Sequence, residues 1–143
     1  MDQWVANRTV RDDAGNECVV SVGIPRKSPK TRHEWACPFR IVRDGKETID
    51  HAHGIDQMQA LELAVDAIRV ALEKSGAALT WFVTQDGVAK PAGEPGDAGF
   101  YRSIPSALGQ KVYRQLARVV DDELAVITAD NIRRHQERKK SKP

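Results

Sequence analysis

Five short segments before residue 86 have the pattern of strands, with apolar runs in some and an imperfect alternation of apolar and polar residues in the first. Val and Ile are enriched in these segments, and short polar turns separate most of them. The turn at Asp44–Gly45 is the strongest hairpin signal, because both residues tolerate the left-handed backbone of a tight turn. The segments predicted as strands are 3–11, 17–25, 34–43, 46–53 and 79–85.

A helix is predicted between the fourth and fifth strands, from residue 57 to residue 75. Asp56 and Gln59 have the spacing of a capping box, in which the N-cap side chain and the side chain three residues later each accept a backbone N–H. Gly54 lets the chain turn out of the strand, and Gly76 is a typical helix stop. Asp56 therefore has a structural role.

The apolar face of this helix is wide. At about 100° per residue, Ala60 and Ala67 extend it to roughly half of the circumference, and Leu63 and Val70 lie outside even that. We expect both to be mostly buried under the C-terminal helix, from the same chain or from a partner in a symmetric dimer. Leu63→Asp is then expected to unfold the protein or dissociate the dimer. The main face consists of Met58, Leu61, Ala64, Val65, Ile68, Ala71 and Leu72.

Residues 86–105 contain four glycines and three prolines without periodicity, which predicts a long irregular loop. Phe100 and Tyr101 near its end either pin the loop to the body or stand exposed as part of a binding surface. A long helix is predicted from Pro105 to Lys140. Its apolar residues cluster within about a third of the circumference, and they are Leu108, Val112, Leu116, Val119, Val120, Val126 and Ile127.

Glu123 projects into the middle of this apolar arc, and Asp130 lies near it. Three interpretations are open. The carboxylate of Glu123 is held by an arginine or a backbone donor, the end of the helix has left the core, or Glu123 works in a cleft that binds a ligand. Glu123 is for that reason a candidate binding residue, together with Phe100 and Tyr101.

Together the segments predict an α+β fold, with a five-stranded, mainly antiparallel meander, one helix packed on a face and a long C-terminal helix. The 143 residues suit a single domain, 1–143. With 41% apolar and 29% charged residues, the composition is that of a folded globular protein. No apolar run approaches the roughly 18 residues of a membrane span, and the N-terminus does not resemble a signal peptide. A cytoplasmic protein without a membrane partner is expected.

Cysteine and histidine residues give little sign of chemistry. Cys18 and Cys37 lie in apolar strand segments without a C-x-x-C motif, and we expect both to be small buried side chains. His51 and His53 point to the same side of a predicted strand, but zinc needs three or four ligands and no motif supplies the others. The pair is a weak metal candidate, and we expect no metal or other cofactor. No known catalytic motif is present.

The C-terminal residues 133–143 carry six Lys or Arg against one Glu, a charge of +5, so residues 1–132 sum to −3 given the total of +2. A basic, frayed tail of this kind suits phosphate contacts with nucleic acid. It has no interleaved aromatic residues, and cations also suit the end of a helix. Nucleic acid is therefore the less favoured partner. The candidate contact residues are Arg133, Arg134, Arg138, Lys139 and Lys140.

Several short motifs resemble those of a family of small uncharacterised bacterial proteins, one of the groups described as a domain of unknown function. They are W-A-C at Trp35, G-I-D-Q-M-Q-A-L-E-L-A from Gly54, T-W at Thr80, G-F-Y-R-S-I-P from Gly99 and V-D-D-E ending at Glu123. The resemblance covers about Trp4 to Glu123. It implies a bacterial cytosolic protein with strands followed by a helix, and it implies no activity or catalytic residue.

Three functions remain possible from the sequence. The favoured hypothesis is a small protein-binding module without catalytic activity, of the immunity-protein or regulatory-partner type, with a homodimer as one option. The second is a ligand-binding protein or enzyme with a cleft around Glu123. The third is a nucleic-acid-associated protein that acts through the basic tail.

Overall fold

The computed structural model describes residues 3–100 and 109–141. The chain divides into two compact units, Met1–Ser103 and Ile104–Pro143. The first unit contains seven strands and one helix: β1 (Trp4–Arg11), β2 (Glu17–Gly23), β3 (Arg26–Lys27), β4 (Trp35–Arg43), β5 (Lys46–Gly54), α1 (Gln57–Lys74), β6 (Thr80–Gln85) and β7 (Val88–Pro91). The described part of the second unit is a single helix, α2 (Gly109–Lys140).

The predicted α+β fold, with an antiparallel sheet, one packed helix and a long C-terminal helix, is confirmed. β1, β2, β4 and β5 form the predicted meander, and β6 pairs with the free side of β1 after the excursion through α1. The predicted count of five strands is too low, because β3 and β7 extend the sheet to seven. Both additional strands are short, at two and four residues, which is below the length at which a hydrophobic pattern is visible.

Two Asp-Gly turns connect hairpins of the sheet. Asp44 and Gly45 have φ of 52° and 71°, and Asp86 and Gly87 have φ of 53° and 75°. Two consecutive residues with positive φ are the signature of the type I′ turn, whose twist matches that of the flanking strands. The second turn produces β7 inside the segment 86–105, for which the sequence predicted no regular structure. Residues 101–108 lie outside the described part of the chain, and Tyr101 is among them.

Pro38 lies where the ladder along β4 is interrupted. The pairing of β2 with β4 ends at Val22 and Phe39, and that of β3 begins at Arg26 and Ala36. A proline is tolerated at such a break because it has no N–H to donate. Gly23 faces it closely, since a Cβ built there would come within 2.6 Å of Pro38 Cγ.

The core lies between α1 and the sheet, chiefly against β4 and β5. The helix buries one narrow row spaced by four residues, Ala60, Ala64, Ile68 and Leu72. Two of the four are alanines, which allow a helix to approach a sheet closely. Met58, predicted on the buried face, is 65% exposed. Core residues of the sheet are Val10, Cys18, Val20, Val22, Cys37 and Phe39.

Leu63 is 41% exposed in the single chain, and Val70 is half-buried. The prediction that the C-terminal helix, from this chain or from a partner, covers both side chains stays a prediction. Within the first unit the sheet packs on one side of α1, and a helix with one neighbouring layer buries a narrow stripe. The sequence argument assumed a second layer.

The start of α1 is fixed by the predicted capping residues. Asp56 Oδ1 accepts a hydrogen bond from Gln59 N at 2.7 Å, and Gln59 Oε1 accepts one from Ile55 N at 2.8 Å. The reciprocal bond thus reaches Ile55, one residue before the N-cap, rather than Asp56 itself. Gly54 is buried, and a Cβ built there would lie 2.4 Å from Ala60 N, so the strand end touches the backbone of the helix.

Asp56→Ala is expected to lower the free energy of unfolding by about 1 kcal/mol, because it removes the only side chain that caps a backbone N–H in the first turn of α1 among the described hydrogen bonds. Urea unfolding followed by tryptophan fluorescence measures it, since all three tryptophans lie in the first unit. Asp13→Ala, at an exposed turn position, is the control and is expected to change stability by less than about 0.5 kcal/mol. Equal losses in both variants would show that the cap contributes nothing specific.

Candidate functional site

The histidine pair lies on an exposed strand. His51 and His53 are on β5 opposite Pro38 and Ala36, and both are exposed. His53 Nδ1 is 3.8 Å from Glu34 Oε2. Within residues 3–100 and 109–141, no group of three His, Cys, Asp or Glu is close enough together to hold a metal ion. In the described part of the chain the two histidines and their neighbouring carboxylates therefore do not form a set of metal ligands.

The two cysteines are buried and free, as the sequence predicted. Burial raises the pKa of both thiols, which keeps them protonated at neutral pH. Cys37 Sγ donates to Gly23 O at 3.5 Å. These thiols serve as packing groups of the sheet.

The basic residues of the tail continue α2 as regular helix up to Lys140. Arg133 Nη2 and Arg134 Nε lie 2.5 Å and 2.7 Å from the carboxylate of Asp130. Two of the five candidate nucleic-acid contacts are thus already paired with a carboxylate of the same helix. This pairing reduces the charge that the helix end presents to a phosphate.

The most prominent surface of the second unit is the apolar side of α2. Seven large apolar side chains on it are between 41% and 65% exposed, and α2 has no buried residue among those described. At about 100° per residue these seven side chains and that of Val112 fall within roughly half of the circumference of the helix. We call this set the α2 face. It consists of Val112, Tyr113, Leu116, Val119, Val120, Leu124, Val126 and Ile127.

Glu123 lies within the α2 face and is exposed. By the same helical geometry its side chain projects between those of Leu116 and Val119 on one side and Ile127 on the other. Its role as a binding residue stays a prediction.

A second candidate site lies in the first unit around Arg8. The guanidinium carbon of Arg8 is 4.4 Å from the ring centroid of Trp81 and 4.7 Å from that of Phe100. Arg8 Nη1 donates to Gly99 O. Phe100 is half-buried and packs against the core, so of the two interpretations of this residue the structure favours the one in which it pins the loop.

Next to Arg8 is a cleft of 260 Å³, open on one side, between the sheet, α1 and the end of the loop. Its walls are mostly apolar, with Val20 and Val22 from β2, Val65 and Ile68 from α1, and Phe100. We call it the Arg8 cleft. Sequence reasoning did not find it, because Arg8 was one polar residue in an imperfectly alternating strand. The sequence did contain one indication of the cleft. Arg8 and Val10 are two residues apart, so their side chains lie on the same, buried side of β1.

The fold of the first unit is that of a small α+β domain in which a seven-stranded antiparallel sheet carries one helix. The chain belongs to the family described as "Domain of unknown function (DUF6968)", whose model matches residues 6–92. The matched range runs from β1 through β7, whereas the resemblance drawn from the sequence extended to Glu123. No curated protein and no solved structure is significantly similar to the chain. No helix of the described residues combines the length and the apolar character that crossing a membrane requires.

Proposed function

We propose that the chain is a protein-binding module of the regulatory-partner type, and that the α2 face binds a second copy of the same chain. The observation that carries the proposal is the exposure of seven large apolar side chains on one side of α2. Continuous apolar surface of this kind is uncommon on monomers and is characteristic of interaction sites. Burial of this face against a partner removes its apolar side chains from water.

The spacing of the face supports a second copy in antiparallel orientation. The central row has its members at −7, −4, 0, +4 and +7 relative to Val120. A row that is symmetric about one residue is complementary to itself when a two-fold axis passes through that residue. Tyr113 then packs against Ile127 of the other copy, Leu116 against Leu124, and Val120 against Val120. The row is Tyr113, Leu116, Val120, Leu124 and Ile127.

The charges of α2 favour the antiparallel pair over the parallel one. In a parallel pair in register, Glu123 meets Glu123 inside an apolar seam, where like charges are costly. In the antiparallel pair the two carboxylates are about 9 Å apart along the axis, at a rise of 1.5 Å per residue. The basic segments 133–140 likewise lie at opposite ends of the pair instead of side by side. The exposure of Glu123 supports a place at the edge of an interface more than a place in a catalytic cleft.

Sedimentation equilibrium tests the proposal. The wild type is expected to show a concentration-dependent monomer–dimer equilibrium. Glu123→Leu is expected to tighten the dimer by roughly tenfold or more, because it replaces two partly desolvated carboxylates with apolar groups. Asp122→Leu is the matched control, since it removes the same charge from a position outside the α2 face.

Asp122→Leu is expected to leave the dissociation constant within about a factor of three, well under the tenfold that 1.4 kcal/mol represents. A wild type that stays monomeric at all concentrations, together with a monomeric Glu123→Leu variant, contradicts the proposal. An equal effect of both leucine substitutions would assign the change to net charge and not to the seam.

A further inference from the structure

The Arg8 cleft contains a guanidinium that forms no ion pair with any residue of the described ranges 3–100 and 109–141. Arg8 lies on the side of β1 that faces α1, directly opposite Val20, and its neighbour on that side, Val10, is fully buried. The contacts of its guanidinium in this part of the chain are the two aromatic rings and the bond to Gly99 O, and none of them is with a carboxylate. A half-buried arginine usually has an acidic partner, since removing its charge from water is costly.

The other stacked arginine of β1 shows the usual arrangement. Arg11 is 4.8 Å from the ring centroid of Phe82, and it forms an ion pair with Glu17 at 2.6 Å. Arg8 and Arg11 are three residues apart and therefore on opposite faces of the strand. The comparison shows what is particular to Arg8, which is a stacked guanidinium that lies beside an apolar cleft and forms no ion pair with a carboxylate of the described residues.

We propose that the Arg8 cleft binds a small monocarboxylate that carries an apolar or aromatic body. The carboxylate accepts N–H bonds from the planar guanidinium, which Trp81 and Phe100 hold in place. The body lies against Val20, Val22 and Val65. The volume of 260 Å³ lies just below the about 300–1,000 Å³ usual for ligand pockets, which suits a small ligand better than a nucleotide or a lipid.

The single cation of the cleft favours a ligand with one negative charge, and the apolar walls favour a ligand with an apolar body. A phosphate dianion needs more donors than one guanidinium, and the walls of the cleft offer few others. A neutral apolar molecule would leave the charge of Arg8 uncompensated in a desolvated place. The binding is independent of the α2 face, because every residue of the cleft lies in the first unit.

The test is an NMR titration of the full-length ¹⁵N-labelled chain with phenylacetate and, separately, with its neutral analogue phenylacetamide. Phenylacetate is expected to shift the backbone amides of Ala6, Val22 and Gly99 in a saturable way. Phenylacetamide is expected to bind at least about tenfold more weakly, because it lacks the charge that pairs with Arg8.

Two variants remove the site in different ways. Arg8→Gln removes the charge, and Val65→Phe fills the cleft while Arg8 stays; each is expected to weaken phenylacetate binding by roughly tenfold to a hundredfold. Arg11→Gln is the matched control and is expected to bind phenylacetate like the wild type. If Arg8→Gln does not fold, the proposal is tested by phenylacetate binding to Val65→Phe and by the comparison of phenylacetate with phenylacetamide in the wild type.

Three results would overturn the proposal. They are the absence of saturable shifts at about 10 mM phenylacetate, equal affinity for phenylacetamide, and unchanged affinity in Val65→Phe. Each would mean that Arg8 serves only to hold the loop through Gly99 and the two rings.

Discussion

Replacing Val120 by aspartate is expected to convert the protein from a dimer into a monomer at every concentration below about 1 mM. In the proposed pair Val120 packs against its own copy on the two-fold axis. The substitution removes two apolar side chains from the centre and places two like charges next to each other in a desolvated seam. We expect the dissociation constant to rise by at least about a hundredfold, which corresponds to roughly 2.7 kcal/mol.

Ile132→Asp is the control for this prediction. Ile132 belongs to the same helix and is 54% exposed, comparable with 56% for Val120, but it lies outside the α2 face. Sedimentation velocity of both variants over a range of concentrations makes the comparison, with circular dichroism to show that α2 remains helical. Dissociation by Ile132→Asp as strong as that by Val120→Asp would refute a pair centred on Val120.

Gly54→Ala is expected to have the largest effect on the stability of the first unit, a loss of about 3 kcal/mol or more. A Cβ there would lie 2.4 Å from Ala60 N and 2.9 Å from Ala60 Cα. Both atoms are backbone of α1, so no rotation of a side chain relieves the contact. The strand and the helix have to separate, which opens the core at Ala60 and Ala64. Loss of a few kcal/mol is a large part of the 5–15 kcal/mol typical of a domain.

Gly45→Ala separates this steric effect from the general cost of replacing a glycine. Gly45 has φ of 71° and no atom within 4 Å of a built Cβ, so only backbone strain of about 1–2 kcal/mol is expected. Urea unfolding followed by tryptophan fluorescence measures both variants. A smaller loss for Gly54→Ala than for Gly45→Ala would contradict the close approach of β5 and α1.

The sequence predicted most of the fold because its local signals were strong. The strands β1, β2, β4, β5 and β6 have β-branched residues and clear turn signals, and the capping residues Asp56 and Gln59 determine where α1 begins. β7 was missed although Asp86–Gly87 resembles Asp44–Gly45, since the four residues after it are too few to form a pattern and are all exposed. The Asp-Gly turn was therefore the one sequence signal that pointed to a strand after residue 87.

The candidate sites were predictable to different degrees. The α2 face follows from helical periodicity, and its position within the helix was visible in the sequence. The Arg8 cleft was not, because it depends on Trp81 and Phe100 reaching Arg8 from distant parts of the chain. Periodicity describes one element at a time and does not show which residues of other elements share its face. The same limit applies to Leu63, whose burial was predicted from the periodicity of α1 alone.

The most direct test of the central claim is the distance between spin labels attached to Gln110→Cys in the two copies. Gln110 is exposed and ten residues from Val120, so the antiparallel pair predicts labels about 30 Å apart along the helix axis. The native thiols of Cys18 and Cys37 are buried, and the labelled wild type gives their background. A pulsed dipolar measurement with a single distance near 30 Å agrees with a pair centred on Val120. A distance of about 10–20 Å, which a parallel pair requires, or no dipolar coupling at all, contradicts it.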